Sequence, residues 1–186
     1  MVAKSCCFIG HRNIKINQEL VDRLQGELID LIENGVSQFI FGSRSEFDSL
    51  CHSIVTELKE AYPSIIRVAY DTKSEASILE KDKERLDAIY TKLFGKEFDL
   101  SAYEEVIKDE KMYVSGKASY IERNELMIDA SDYCVFYYDK NYKPPVRNRS
   151  KKYACGLWTS AKSGTAIAYR YALRKKKKII NVFVSK

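Results

Sequence analysis

The chain has 186 residues, 45% of them hydrophobic and 31% charged, with a formal net charge of +5. That is the composition of one ordinary globular domain, long enough to bury a real core. No long uncharged apolar run is present, which excludes a membrane span, and the opening Met1 to Gly10 lacks the h-region and cleavage site of a signal peptide.

Taken in order, Ser5 to Ile9 is a short apolar run closed by Gly10 and predicts a buried first strand. Leu20, Leu24, Leu28, Leu31 and Ile32 repeat at helical spacing until Asn34-Gly35, the residues of a left-handed cap, stop the helix. Val36 to Phe41 predicts a second strand ending at Gly42. Ser45-Glu46-Phe47-Asp48 is a capping box, and Phe47, Leu50, Ile54 and Leu58 give the helix it starts an apolar stripe. Pro63 ends that helix, and Ile65 to Tyr70 predicts a third strand.

Residues 71–110 are strongly charged, with one helix supported around Ile78 to Phe94 and a second over Tyr103 to Ile107. Their apolar content is too small for a core of their own, so they read as an elaborated crossover within a single domain spanning 1–186. Lys111 to Ser115 predicts a fourth strand closed by Gly116. Ser119-Tyr120-Ile121-Glu122 reads as a second capping box, which puts Arg123 and Asn124 in the first turns of the next helix. Tyr133 to Tyr138 and Ile179 to Val184 complete about six strands. Between them, residues 139–157, with Pro144-Pro145 and scattered Lys and Arg, read as a long exposed basic loop.

Strands that alternate with helices predict an α/β fold: a doubly wound, mostly parallel sheet with helices on both faces and the strand ends gathered on one edge. The binding crevice of such sheets lies at that edge, where strand order reverses. Four turns meet there: Gly10-His11-Arg12, Gly42-Ser43-Arg44, Arg123-Asn124 and Ser163-Gly164-Thr165. Glycine lets the backbone come close to a ligand, a helix start offers free N–H groups, and guanidinium pairs bidentately with phosphate or carboxylate. Neither GxGxxG nor GxxxxGK[ST] occurs, which weighs against a dehydrogenase or an NTPase. Ser163 also reads as a plain N-cap, Asp48 as part of its capping box, and Asp129 and Asp132 as turn residues.

Five cysteines form no Cys-x-x-Cys pair and no pattern with His11 or His52, which predicts reduced, mostly buried thiols in a cytoplasmic protein and no metal site. The run Arg174 to Lys178 reads as the cationic end of a helix and not as a nucleic-acid patch.

With those turns in view, the chain resembles the SLOG superfamily, the Rossmann-like group that unites the DNA-processing DprA/Smf proteins with the LOG cytokinin-activating hydrolases. It looks closest to the YpsA-like branch. The matching pieces are Cys7 to Arg12, Gly42 to Asp48, Tyr113-Val114-Ser115, and Tyr120 to Asp132 with its Arg-Asn-x-x-Met-x-Asp-x-Ser-Asp core. Ser163-Gly164-Thr165 with Tyr171-Ala172 completes the set. The resemblance implies a Rossmann-like fold and a bound nucleotide or nucleotide-derived ligand. Three departures stand out. YpsA-like proteins typically carry Gly-Gly-Thr where this chain has Ser163-Gly164-Thr165, and they usually lack the long basic loop before it. LOG hydrolases carry a catalytic glutamate where this chain has Ala168.

Three readings follow. The first is a module that senses or sequesters a small phosphorylated, nucleotide-derived ligand. Its binding residues would be Gly10, His11, Arg12, Gly42, Ser43, Arg44, Asp48, Arg123, Asn124, Ser163, Gly164 and Thr165. The second is a LOG-like N-glycoside hydrolase, with Glu46 or Asp48 (or Asp129) supplying the carboxylate that the missing glutamate would provide. The third is single-stranded nucleic-acid binding by the basic loop, where Lys140, Lys143, Arg147, Arg149, Lys151 and Lys152 alternate with Tyr138, Tyr142, Tyr153 and Trp158. Related folds pair as dimers, so a homo-oligomer stays open.

Overall fold

The computed structural model describes residues 3–42, 45–72, 79–95, 103–113, 117–143 and 163–184. Among them run six strands: β1 (Lys4–Gly10), β2 (Val36–Phe41), β3 (Ile66–Tyr70), β4 (Glu105–Ile107), β5 (Tyr133–Tyr137) and β6 (Lys178–Asn181). Five α-helices alternate with them: α1 (Gln18–Glu33), α2 (Glu46–Leu58), α3 (Leu79–Phe94), α4 (Lys117–Asp129) and α5 (Gly164–Arg174). Every strand pair is parallel, and the order is β4-β3-β2-β1-β5-β6. The chain steps outward from β1 to β4 and then returns to the far side of β1. The topological switch point therefore lies between β1 and β5, where Gly10 pairs with Tyr137.

Side-chain alternation on the strands explains the two layers. Cys6 and Phe8 of β1 join Phe39 and Phe41 of β2 in a core covered by α1 and α2, with Phe8 stacked on Phe41 at 4.9 Å. Cys7 and Ile9 point the other way, into a second core with Met127 and Ile128 of α4 and Ala168 and Ala172 of α5. A right-handed crossover stepping in one direction lays its helices on one face, and the return lays them on the other. The four described cysteines, Cys6, Cys7, Cys51 and Cys134, are buried and unbridged.

Local signals set most boundaries. Asn17 caps α1 by accepting from the Leu20 N–H at 2.9 Å, and Gly35 beyond its end takes a positive φ of 88°. Ser45 caps α2 by accepting from the Asp48 N–H at 3.0 Å.

Three expectations from sequence are corrected. Residues 105–107 form the edge strand β4 and not a helix, because Glu104 is drawn to β3: its carboxylate accepts from the Arg67 backbone N–H at 2.6 Å and from the Arg67 guanidinium at 2.7 Å. The predicted fourth strand from Lys111 opens instead as a 3-10 turn over Glu110–Tyr113, since the Asp109 carboxylate takes the Lys111 N–H at 2.9 Å; residues 114–116 lie outside the described residues. Finally, α4 begins at Lys117, so Ser119 is a buried residue inside the helix and no N-cap. Arg123 therefore sits in the second turn.

Candidate functional site

Two glycines at the strand ends are explained first by packing. A Cβ at Gly10 would overlap the Phe47 side chain at its Cβ, Cγ and Cδ1, so the first turn of α2 rides directly on the end of β1. At Gly42 a Cβ would overlap the Met127 sulfur and come 2.9 Å from Arg123 Nε. The absence of a side chain there lets α4 bring Arg123 against the end of β2. Arg123 is 2% exposed and its guanidinium lies 5.3 Å from the centre of the Tyr120 ring. Asn124 beside it is half-buried. Gly42 thus serves close helix–strand approach, a use the turn composition alone did not separate from ligand approach.

Gly164 differs: the space a Cβ would take is open, and the residue is exposed. It is the first residue of α5, whose N-cap Ser163 makes no side-chain cap bond. The next residue, Thr165, is buried and donates from Oγ1 to the Gly10 carbonyl at 2.9 Å. That bond fixes the N-terminus of α5 at the end of β1, at the switch point. Free N–H groups and the positive end of the helix dipole stand there beside an open glycine.

His11 follows Gly10 and is 2% exposed. The Asp139 N–H, just past β5, donates to its Nε2 at 3.0 Å, with the Asp139 carbonyl 3.3 Å away. An accepting Nε2 assigns the proton of the neutral ring to Nδ1. Nδ1 is buried with no hydrogen-bond partner among the described residues. Burial lowers the His11 pKa from its ordinary value, partly opposed by the Asp139 backbone contact and charge. The Tyr142 ring stacks on the imidazole at 3.8 Å and 15°. Tyr138, next to this pair, stacks on Tyr169 of α5 at 4.5 Å. Asp139 and the Tyr138–Tyr169 stack were not legible as site features; Tyr142 stood out only as one aromatic of the basic loop.

The acids fall into different environments. Glu46 Oε2 accepts from the Ile14 N–H at 2.8 Å, and the Glu46 N–H donates to the Arg12 carbonyl at 2.8 Å. Its carboxylate thereby stitches α2 to the loop after β1. Arg12 itself is exposed. Asp48 is buried in the first turn of α2, close enough to Cys51 that, after burial, its charge is the next cause raising that thiol's pKa. Asp129 is removed from the site: it lies at the C-terminal end of α4, paired with Lys175 at 3.0 Å and accepting from the Tyr171 hydroxyl at 2.8 Å. Asp132 accepts from the Ser5 N–H at 2.9 Å, at the start of β1. Both belong to the opposite edge of the sheet.

The Arg174 to Lys178 run has the same structural use. Lys177 donates to the carbonyls of Asp129 and Ser131 at 3.0 and 2.7 Å, closing the end of α4, and Lys178 lies over the Tyr133 ring. Ser43, Arg44 and residues 144–157 of the basic loop lie outside the described residues. Among the described residues no cluster of metal-ligating side chains occurs, and no helix is long and apolar enough to cross a membrane.

Ala168, where LOG hydrolases place their glutamate, is 2% exposed and packs with Cys7, Ile9 and Phe136 against the sheet. Among solved structures, the chain is similar to DNA processing protein A from Helicobacter pylori, in a structure described by its single-stranded DNA binding mode. Identity is 17% and the TM-score 0.53; the match covers 95% of this chain and 63% of that one, so the chain spans less than two thirds of that relative. This likeness bears on the fold. No curated protein matches the chain by sequence. The profile of the YspA SLOG family matches residues 11–154, and the chain belongs to that family.

Proposed function

We propose that the protein binds a nucleotide or nucleotide-derived small molecule by its phosphate at the β1–β5 switch point and does not cleave it. One observation carries this reading: the N-terminus of α5 is tied to β1 through Thr165, uncapped by Ser163, and fronted by open space at Gly164. Arg123, buried at the end of β2, is the cation of the same edge. The absence of cleavage rests on Ala168 and on Glu46, whose carboxylate already holds a backbone amide.

Calorimetry with adenosine monophosphate and ribose 5-phosphate tests it. Gly164→Val should abolish binding by filling the approach to the helix N-terminus, whereas Ser163→Ala, which removes no cap bond, should change affinity little. Arg123→Ala should weaken binding by about 1.5–3 kcal/mol, the worth of a charge-assisted bond. Unchanged affinity in a folded Gly164→Val protein would remove α5 from the site.

A second reading, single-stranded nucleic-acid binding, draws support from the likeness to DNA processing protein A and from exposed Lys140 and Lys143 flanking Tyr142. Salt separates the two, since binding along a nucleic-acid backbone weakens steeply as salt rises.

A further inference from the structure

We infer that Tyr142 is a lid occupying the place of the ligand's base: its ring, stacked on His11, is displaced when an aromatic base enters the crevice. This deepens the phosphate reading of the α5 terminus and rests on it. The stack is face to face, 3.8 Å between ring centres and 15° between planes, the geometry in which a base lies on an aromatic side chain. It stands at the switch point, beside Gly10, whose carbonyl anchors Thr165 and the open end of α5.

Tyr142 is lightly held. Its N–H donates to the Asp139 carbonyl at 3.2 Å, and the Asn141 N–H donates to the Asp139 carboxylate at 2.8 Å, so the turn is closed on itself. Among the described residues the Tyr142 hydroxyl makes no hydrogen bond, which leaves stacking to keep the ring in place. By contrast, His11 is fixed from the other side by the Asp139 N–H on Nε2. The imidazole is thus a pre-set platform, and Tyr142 its exchangeable cover.

His11 supplies the second half of the recognition. Its Nδ1–H is buried and has no partner among the described residues, an unusual state for a buried donor. The N–H lies in the ring plane, at right angles to the direction of stacking. A base stacked on that face leaves the donor for an oxygen of the same ligand, on its ribose or phosphate. The ligand class is accordingly a nucleoside phosphate, with base, sugar and anion all read, and not a bare sugar phosphate or inorganic phosphate.

The test compares adenosine monophosphate with ribose 5-phosphate, which lacks the base, on wild type, Tyr142→Ala and Tyr142→Phe, each checked for folding by circular dichroism. Removing the cover should raise affinity for adenosine monophosphate about two- to tenfold, the worth of one aromatic pair. Affinity for ribose 5-phosphate should stay within error, and Tyr142→Phe should match wild type on both. A loss of adenosine monophosphate affinity in Tyr142→Ala, no change in it, or an equal shift for both ligands overturns the lid while leaving the phosphate site standing. If wild type binds neither compound, the phosphate reading fails and the lid with it.

Discussion

Placing a glutamate at residue 168 puts the non-cleaving reading to its most direct trial. Ala168 is 2% exposed, on the face of α5 that packs on Cys7, Ile9, Cys134 and Phe136. A glutamate there must force its methylenes into a filled interface, at about 1–3 kcal/mol. It must also bury its carboxylate among apolar groups, at several kcal/mol unless the acid protonates. Allowing for local relaxation, a net loss of about 4 kcal/mol is expected, a large part of the roughly 5–15 kcal/mol that stabilises a domain. For a chain of this length that lowers Tm by roughly 8–16 °C.

The pH dependence gives a signature of its own. Burial raises the folded-state pKa of such a glutamate above its unfolded value, so the folded protein binds the extra proton and the penalty shrinks as pH falls through the raised value. Thermal unfolding of Ala168→Glu and wild type at pH 5 and 8, with chromatography for adenine released from adenosine monophosphate, reads both consequences. Wild-type Tm in the variant together with base release would show that residue 168 reaches the crevice, refuting the packing argument and making the missing glutamate the sole obstacle to hydrolysis.

The other glycine and the Arg67–Glu104 ion pair give two further tests. Gly42→Ala should destabilise by about 1–3 kcal/mol by pressing on Met127 and Arg123, whereas Gly164→Ala, facing open space, should leave Tm nearly unchanged; equal effects in denaturation would mean that α4 does not approach β2 as described. At Glu104, burial pushes the carboxyl up, but hydrogen bonds from the Arg67 side chain and backbone, with the charges of Arg67 and Lys59, hold it at about 2. Its stabilisation is present above the ordinary carboxylate range and lost as pH falls toward 2, about 2 kcal/mol after discounting for partial exposure. Wild type should therefore lose stability from pH 5 to 2 faster than Glu104→Gln, and parallel curves in urea titrations would dissociate the pair from stability.

What the sequence made legible was local or periodic. Ser45 three residues before Asp48, Gly35 after α1, and the apolar run from Ser5 to Ile9 each act within one element, and each is found as read. What failed depends on partners far along the chain. β4 has only three residues, and its pairing is set by Glu104 reaching Arg67. Ser119 matches a capping box by spacing, yet α4 starts before it. The places of His11 after β1 and of the turn at Ser163 before α5 were readable. That Asp139 would fix the His11 tautomer was not, since a backbone N–H leaves no mark in the sequence.

The end of α4 and the start of α5 are treated in opposite ways, and this contrast, which α1 and α2 with their Asn17 and Ser45 caps do not share, bears most on function. At the edge where the strands begin, Lys177 takes the carbonyl of Asp129, the last residue of α4, and that of Ser131 just beyond it, and Lys175 pairs with the Asp129 carboxylate, so the negative end of the helix is met from within the chain. At the other edge, α5 begins with a serine in the N-cap position, the residue type suited to take a helix N–H, and its hydroxyl does not do so. An N-cap bond is worth about 0.5–2 kcal/mol, stability left unclaimed beside a glycine with open space in front of it. Thr165, which a self-capping end would not require, holds this terminus against β1. A donor set kept in place but not spent on the fold is what phosphate binding demands, because an anion gains from N–H groups only where the chain has not already used them.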